Sequence, residues 1–155
     1  MSFQAYFPKG PLKEFVDNIV FISGEMMGSG VAFPRMHQVI IINLGHNFNS
    51  SDVYNTRKQE LEVNERVWIN GKHDTPFMLG NKGIVAMYAI GLKLGMLPYF
   101  ANLPTNETND NTVGAENWTS REIFDLREQL LGCADIHAGF LLVENFLLDM
   151  LRHRD

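Results

Sequence analysis

The stretch IVAMYAI at positions 84–90, seven apolar residues in a row, constrains what this chain can fold into more than any other feature. Gly83 stands before it, Gly91 after it, and no charge interrupts it. A short apolar run bounded by turn signals reads as a strand covered on both faces. Alternation resumes at Leu92, Lys93 and Leu94 and is broken by Gly95, so the strand is expected over 84–94. Met96, Leu97, Tyr99 and Phe100 then have the spacing of a short helix, with Pro98 in its first turn and Pro104 ending it. Tyr88 lies inside the apolar run, and a buried tyrosine has to place its hydroxyl on a partner or in a cavity.

Other strands fall around this one. FVDNIVFIS at 15–23 is rich in β-branched and aromatic residues, and the glycines and methionines of 24–30 predict a loop after it. HQVIIINL at 37–44 is a second strongly apolar strand, closed by Gly45. Its alternation sets His37, Val39, Ile41 and Asn43 on one face and Gln38, Ile40, Ile42 and Leu44 on the other. ERVWIN at 65–70 and a short segment at 76–79 ending at Gly80 are further strands. Residues 1–10 read as an aromatic arm, 11–14 as one helical turn, 46–60 as a polar excursion with a weak strand near Val53 and Tyr54, and 105–117 as an exposed loop.

After that loop the period changes. Thr119 with Glu122 matches a capping box, and Ile123, Leu126 and Leu130 continue at helical spacing until Gly132. Asp135 caps a second helix from Ile136 to about Arg152. On it Ile136, Phe140, Val143, Phe146, Leu147, Met150 and Leu151 form one broad apolar face. Leu141 and Leu148, one heptad apart, fall on the polar side, and Leu142 on its other edge. Strands first and helices last predict a mainly β fold, a sandwich or barrel, with C-terminal helices.

A chain of 155 residues is one domain, with enough length to bury a core. Its net charge of −5 argues against gripping a nucleic-acid backbone. The single cysteine, Cys133, fits a reducing compartment, and with no signal peptide and no apolar run of membrane-spanning length a cytoplasmic protein without a membrane partner is expected. The five histidines, His37, His46, His73, His137 and His153, show neither H-x-H nor H-E-x-x-H spacing. Ser120 has no G-x-S-x-G around it, and GLKLG at 91–95 lacks the Lys-Ser/Thr of a phosphate loop. No catalytic residue, metal ligand or cofactor is therefore assigned, and the expectation is not an enzyme. What remains is a ligand pocket of Phe21, His37, Asn43, Trp68 and Tyr88, aromatic or polar-tipped residues on strands.

Four segments, in their order, resemble the N-terminal domain of AraC-type transcriptional regulators. GPLKEFVDNIVFISGE resembles the family's turn entering its first strand, and MHQVIIINLG its aliphatic strand ending in Asn-x-Gly. WINGKHDTPFMLGNKGIVAMYAIGLKLGML resembles the segment with W/F-x-x-G before the strand that leads to a short helix. SREIFDLREQLL with FLLVENFLLDMLRHR resembles the helical pair ahead of the DNA-binding part.

The resemblance implies a cupin-like β-barrel, a double-stranded β-helix, over 1–104, a loop at 105–118 and a helical pair at 119–153 leading to an absent C-terminal DNA-binding domain. It implies a bacterial effector-sensing or dimerisation module, with a small-molecule effector and a homodimer as its partnerships. DNA would be bound through the C-terminal domain of the full-length protein, and not by this chain alone. Leu141 and Leu148 would then lie at the dimer or domain interface. The alternatives from other classes are a cupin-type small-molecule-binding protein or metal-dependent enzyme, and an interaction domain whose barrel is filled by side chains.

Overall fold

A computed structural model describes residues 2–32, 37–46, 48–52, 61–63, 66–71, 77–102, 112–114 and 121–153. Among the described residues, eight strands make one antiparallel sheet: β1 (Ser2–Tyr6), β2 (Val16–Ala32), β3 (Val39–Asn43), β4 (Phe48–Asp52), β5 (Leu61–Val63), β6 (Val67–Asn70), β7 (Phe77–Leu92) and β8 (Thr112–Gly114). The order is β1-β2-β7-β3-β6-β8, with β4 also beside β7 and β5 beside β4. Two helices follow, α1 (Glu122–Leu131) and α2 (Ile136–Arg152). The chain is thus mainly β with C-terminal helices. Among the described strands none joins β8 to β1, so the described sheet is open.

The apolar run at 84–90 does lie at the centre, in β7, with β2 on one side and β3 on the other, but its first residue, Ile84, lies beyond the β3 pairing and is exposed rather than covered. Three expectations are corrected around it. Residues 77–79 of the expected short segment and the central strand are one strand, β7. The glycine-rich stretch 24–30 is not a loop. It continues β2, in unbroken register with β7 from Asn18↔Gly91 to Ala32↔Phe77. Pairing along a full-length partner outweighs the poor strand propensity of glycine. The aromatic arm contains an edge strand, β1, paired to β2 from Ser2↔Ser23 to Tyr6↔Ile19.

Within the expected loop at 105–117, Thr112–Gly114 is a strand paired to β6. Val53, Tyr54, His73 and Thr119 lie outside the described residues. The position before α1 is Arg121, whose side chain makes no capping bond. Asp135 does cap α2: its Oδ1 accepts the His137 amide at 3.0 Å. The helical turn at 11–14 and the short helix after Gly95 are 3-10 turns, Gly10–Glu14 and Leu97–Tyr99, joined through Phe15, whose ring meets Tyr99 and Phe100 edge-on.

β3 and β4 run as one path along β7, interrupted by a bulge. The amides of Leu44 and Gly45 both reach the Ala86 carbonyl, at 2.7 and 3.0 Å, and the His46 amide reaches the Ile84 carbonyl at 2.9 Å. Two residues opposite one is the defining count of a β-bulge.

Strand alternation divides the interior in two. Ile19, Ile40, Ile42, Val67, Ile69, Tyr88 and Ile90 face the helices and pack with Ile123, Leu126, Leu130, Phe140, Val143 and Leu147. Val39, Ile41, Trp68, Val85 and Met87 form a second buried cluster, with Ile22 and Ala89 against it. The sequence assignment of odd and even residues of β3 to opposite faces matches these clusters.

Candidate functional site

The five residues expected to line a pocket are divided by the sheet. Phe21 and Tyr88 sit together on the helix-covered face, ring centroids 4.8 Å apart. Trp68 is buried in the second cluster, on the other face. His37 is exposed ahead of β3. Asn43 is buried, and its amide serves the bulge: Nδ2 donates to the His46 carbonyl at 3.0 Å, and Oδ1 accepts the Gly45 amide at 3.2 Å.

Tyr88 resolves the question its sequence position raised. Its ring meets Phe140 of α2 edge-on at 5.6 Å, and Phe140 stacks on Tyr6 of β1 at 5.4 Å. Phe21, Tyr88, Phe140 and Tyr6 therefore form a row running from the sheet to α2 and back to the edge strand β1. The Tyr88 hydroxyl lies 3.5 Å from the Ile136 carbonyl, in the first turn of α2, at the long limit for a hydrogen bond. Gly139 makes this approach feasible: a Cβ there would collide with the hydroxyl oxygen. Burial pushes the Tyr88 hydroxyl pKa up to about 12, with the nearby Cys133 and Asp135 adding to it.

Two more polar contacts fix the helices. The Tyr6 hydroxyl donates to Glu144 Oε2 at 2.8 Å, and burial, then this bond and charge, raise its pKa. The Arg127 Nε donates to the Asn43 carbonyl at 2.8 Å, tying α1 to the bulge. Burial lowers the Arg127 pKa, as does the charge of Arg66, while Glu128 opposes the shift.

The expected apolar face of α2 packs as predicted, with Phe140, Val143 and Leu147 buried and Ile136, Phe146, Met150 and Leu151 partly so. Leu141 is exposed, at 40%. Leu148 is half-buried and packs against the main core, eight positions after Phe140 and so only about 80° round the helix from it.

Sequence reasoning passed over Gly139, Tyr6 and Arg127. Arg127 had a signal: positions 123, 126, 127 and 130 are one i, i+3, i+4, i+7 stripe, and a charge occupies it. The chemistry of the described residues is that of docking. Among them no three His, Cys, Asp or Glu side chains come together as a metal-ligand set. His46 Nδ1 accepts the Ile84 amide at 3.0 Å, and His153 Nδ1 lies 2.7 Å from the Asp149 carbonyl. No helix of the described residues is long and apolar enough to cross a membrane. No family model matches the chain, and comparison with curated proteins and with solved structures likewise returns no match.

Proposed function

We propose that this chain is an effector-sensing and dimerisation module of an AraC-type transcription regulator, not an enzyme, working in the cytoplasm. The observation that supports this reading is the division of the sheet. One face is committed to the helical pair, while Val39, Ile41, Trp68, Val85 and Met87 make a separate apolar cluster on the other. In a cupin-like barrel this second face is the interior, and a small-molecule effector would enter there, with Trp68 as its aromatic wall. Phe21 and Tyr88 then serve helix docking rather than the effector.

Leu141 presents exposed apolar surface on α2 for a second copy, and DNA is bound by a C-terminal domain of the full-length regulator. A thermal-shift screen of small metabolites tests the sensing role, because a ligand that binds only the folded state raises the melting temperature. Sedimentation tests the pairing: Leu141→Glu should convert a dimer to a monomer without lowering the melting temperature. A monomeric parent chain that no metabolite stabilises would defeat the proposal. One tightly bound transition metal per chain by elemental analysis would favour a cupin-type metal enzyme instead.

A further inference from the structure

An edge strand carries backbone donors and acceptors with no ladder partner on its outer side, and chains guard such edges with charge, proline or a bulge. β1 has none of these. Its sequence, SFQAY, holds no charged residue, proline or glycine, and its register with β2 runs unbroken from Ser2↔Ser23 to Tyr6↔Ile19. It stands at the end of the order of the described strands, and Ser2 to Ala5 are exposed, Phe3 at 65%. Phe3 lies opposite Ile22, and Ile22 opposite Met87 of the second cluster, so an apolar row of that face runs out to an uncovered edge.

The strand is complementary to itself. Antiparallel pairing of all five residues with a second β1 fixes one register: Gln4 opposite the partner's Gln4, Phe3 opposite the partner's Ala5, and Ser2 opposite the partner's Tyr6. A large side chain then faces a small one at both Phe3 positions, and no two charges meet across the seam. An uncharged edge is where two copies of a chain of net charge −5 can approach with least repulsion. Residues opposed in an antiparallel pair point to the same face, so this register sets both helical pairs on one side of the joined sheet. Tyr6 already ties β1 to α2, stacking on Phe140 and bonding Glu144. Leu141, the exposed leucine of α2, neighbours Glu144 on the helix surface at i, i+3 spacing and so flanks the same edge.

We propose that β1 is the seam of a homodimer, pairing antiparallel with β1 of a second copy about a two-fold axis at Gln4, so that two sheets become one. The proposal rests on the dimerisation reading above and deepens it. A five-residue edge spans only about 17 Å and falls short of the roughly 1,000 Å² that a stable interface buries. The flank of α2 around Leu141, brought to the same side in both copies, makes up the remainder.

The test is sedimentation of the full chain over a concentration series. Phe3→Lys combined with Ala5→Lys sets like charges opposite each other across the seam, and should weaken the dimer at least tenfold. Phe3→Lys combined with Ala5→Glu sets opposite charges there, and should dimerise at least fivefold more tightly than the first variant. Both positions are exposed, so neither variant should lower the melting temperature of the monomer. The proposal is overturned if the first variant dimerises as the parent does, or if the two variants dimerise equally weakly. A dimer that Leu141→Glu dissociates and the first variant does not would defeat the β1 seam and leave the dimerisation reading standing. A parent chain that is a monomer throughout would defeat both.

Discussion

On one face of the sheet Ile40, Ile42, Tyr88 and Ile90 meet two helices; on the other, Val39, Ile41, Met87 and Trp68, drawn from strands of the same sheet, form a cluster that contains no helix residue. The helix-covered face is fixed by directional contacts: Tyr6 to Glu144, Tyr88 to the start of α2, and Arg127 to Asn43. Hydrophobic burial alone is non-directional and leaves many helix placements nearly equal in energy. Polar contacts at three separated points select one of them. The difference assigns the seating of the helices to the contacts of the first face, while the second is a buried apolar cluster drawn from strands alone.

The largest expected effect lies on the second face. Trp68→Ala should destabilise the chain by about 3–5 kcal/mol in chemical denaturation, the range for emptying a buried aromatic site. A loss below about 1 kcal/mol would mean that this face is not a core, and the contrast between the faces would collapse. Next comes the helix-covered face. Alanine is the better helix former by about 1 kcal/mol, so propensity alone predicts that Gly139→Ala stabilises. The added Cβ has no room beside Tyr88, and overpacking predicts a net loss of about 1–3 kcal/mol.

The smallest effect is at the edge strand. Tyr6→Phe removes one hydrogen bond to a charged partner and should cost about 1–2 kcal/mol. The same faces differ in their response to alkali. Tyr6 and Tyr88 both hold their protons above the ordinary tyrosine value of 10.0, Tyr88 to about 12. The folded chain therefore binds more protons than the unfolded one above pH 10, and stability should fall as pH rises from about 10 to 12. Tyr88→Phe should flatten that decline in unfolding curves recorded across this range; an unchanged slope would remove Tyr88 as its source.

Much of the sheet is legible from periodicity. The run at 84–90, the alternation of β3, and the Asp135 cap each follow from local sequence, because burial on two faces, period two and capping leave direct marks. The lengths of β2 and β7 do not. Positions 24–30 and 80–83 carry glycines that look like turns, and only their pairing with each other makes them strands. β1 and β8 are similarly set by their neighbours, each being short and lying at an end of the strand order. Of the expected pocket, the chemistry of each residue was readable but its convergence was not. Phe21 and Trp68 are sent to opposite sides by strand register. Gly139 could not be recognised as a docking point without knowing that Tyr88 lies opposite it. Arg127 could have been, as a charge on an apolar stripe.

The central claim is that α2 is seated by the contact of Tyr88 with Gly139, and a double-mutant cycle measures that contact directly. Tyr88→Leu, Gly139→Ala and the double variant would be compared with the parent chain by chemical denaturation. Removing the tyrosine ring makes room for the new methyl group, so the cost of Gly139→Ala should largely vanish in the Tyr88→Leu background, with a coupling energy of at least about 1 kcal/mol. Costs that add to within about 0.5 kcal/mol would show that the two residues do not meet, and would contradict the seating of α2 described above.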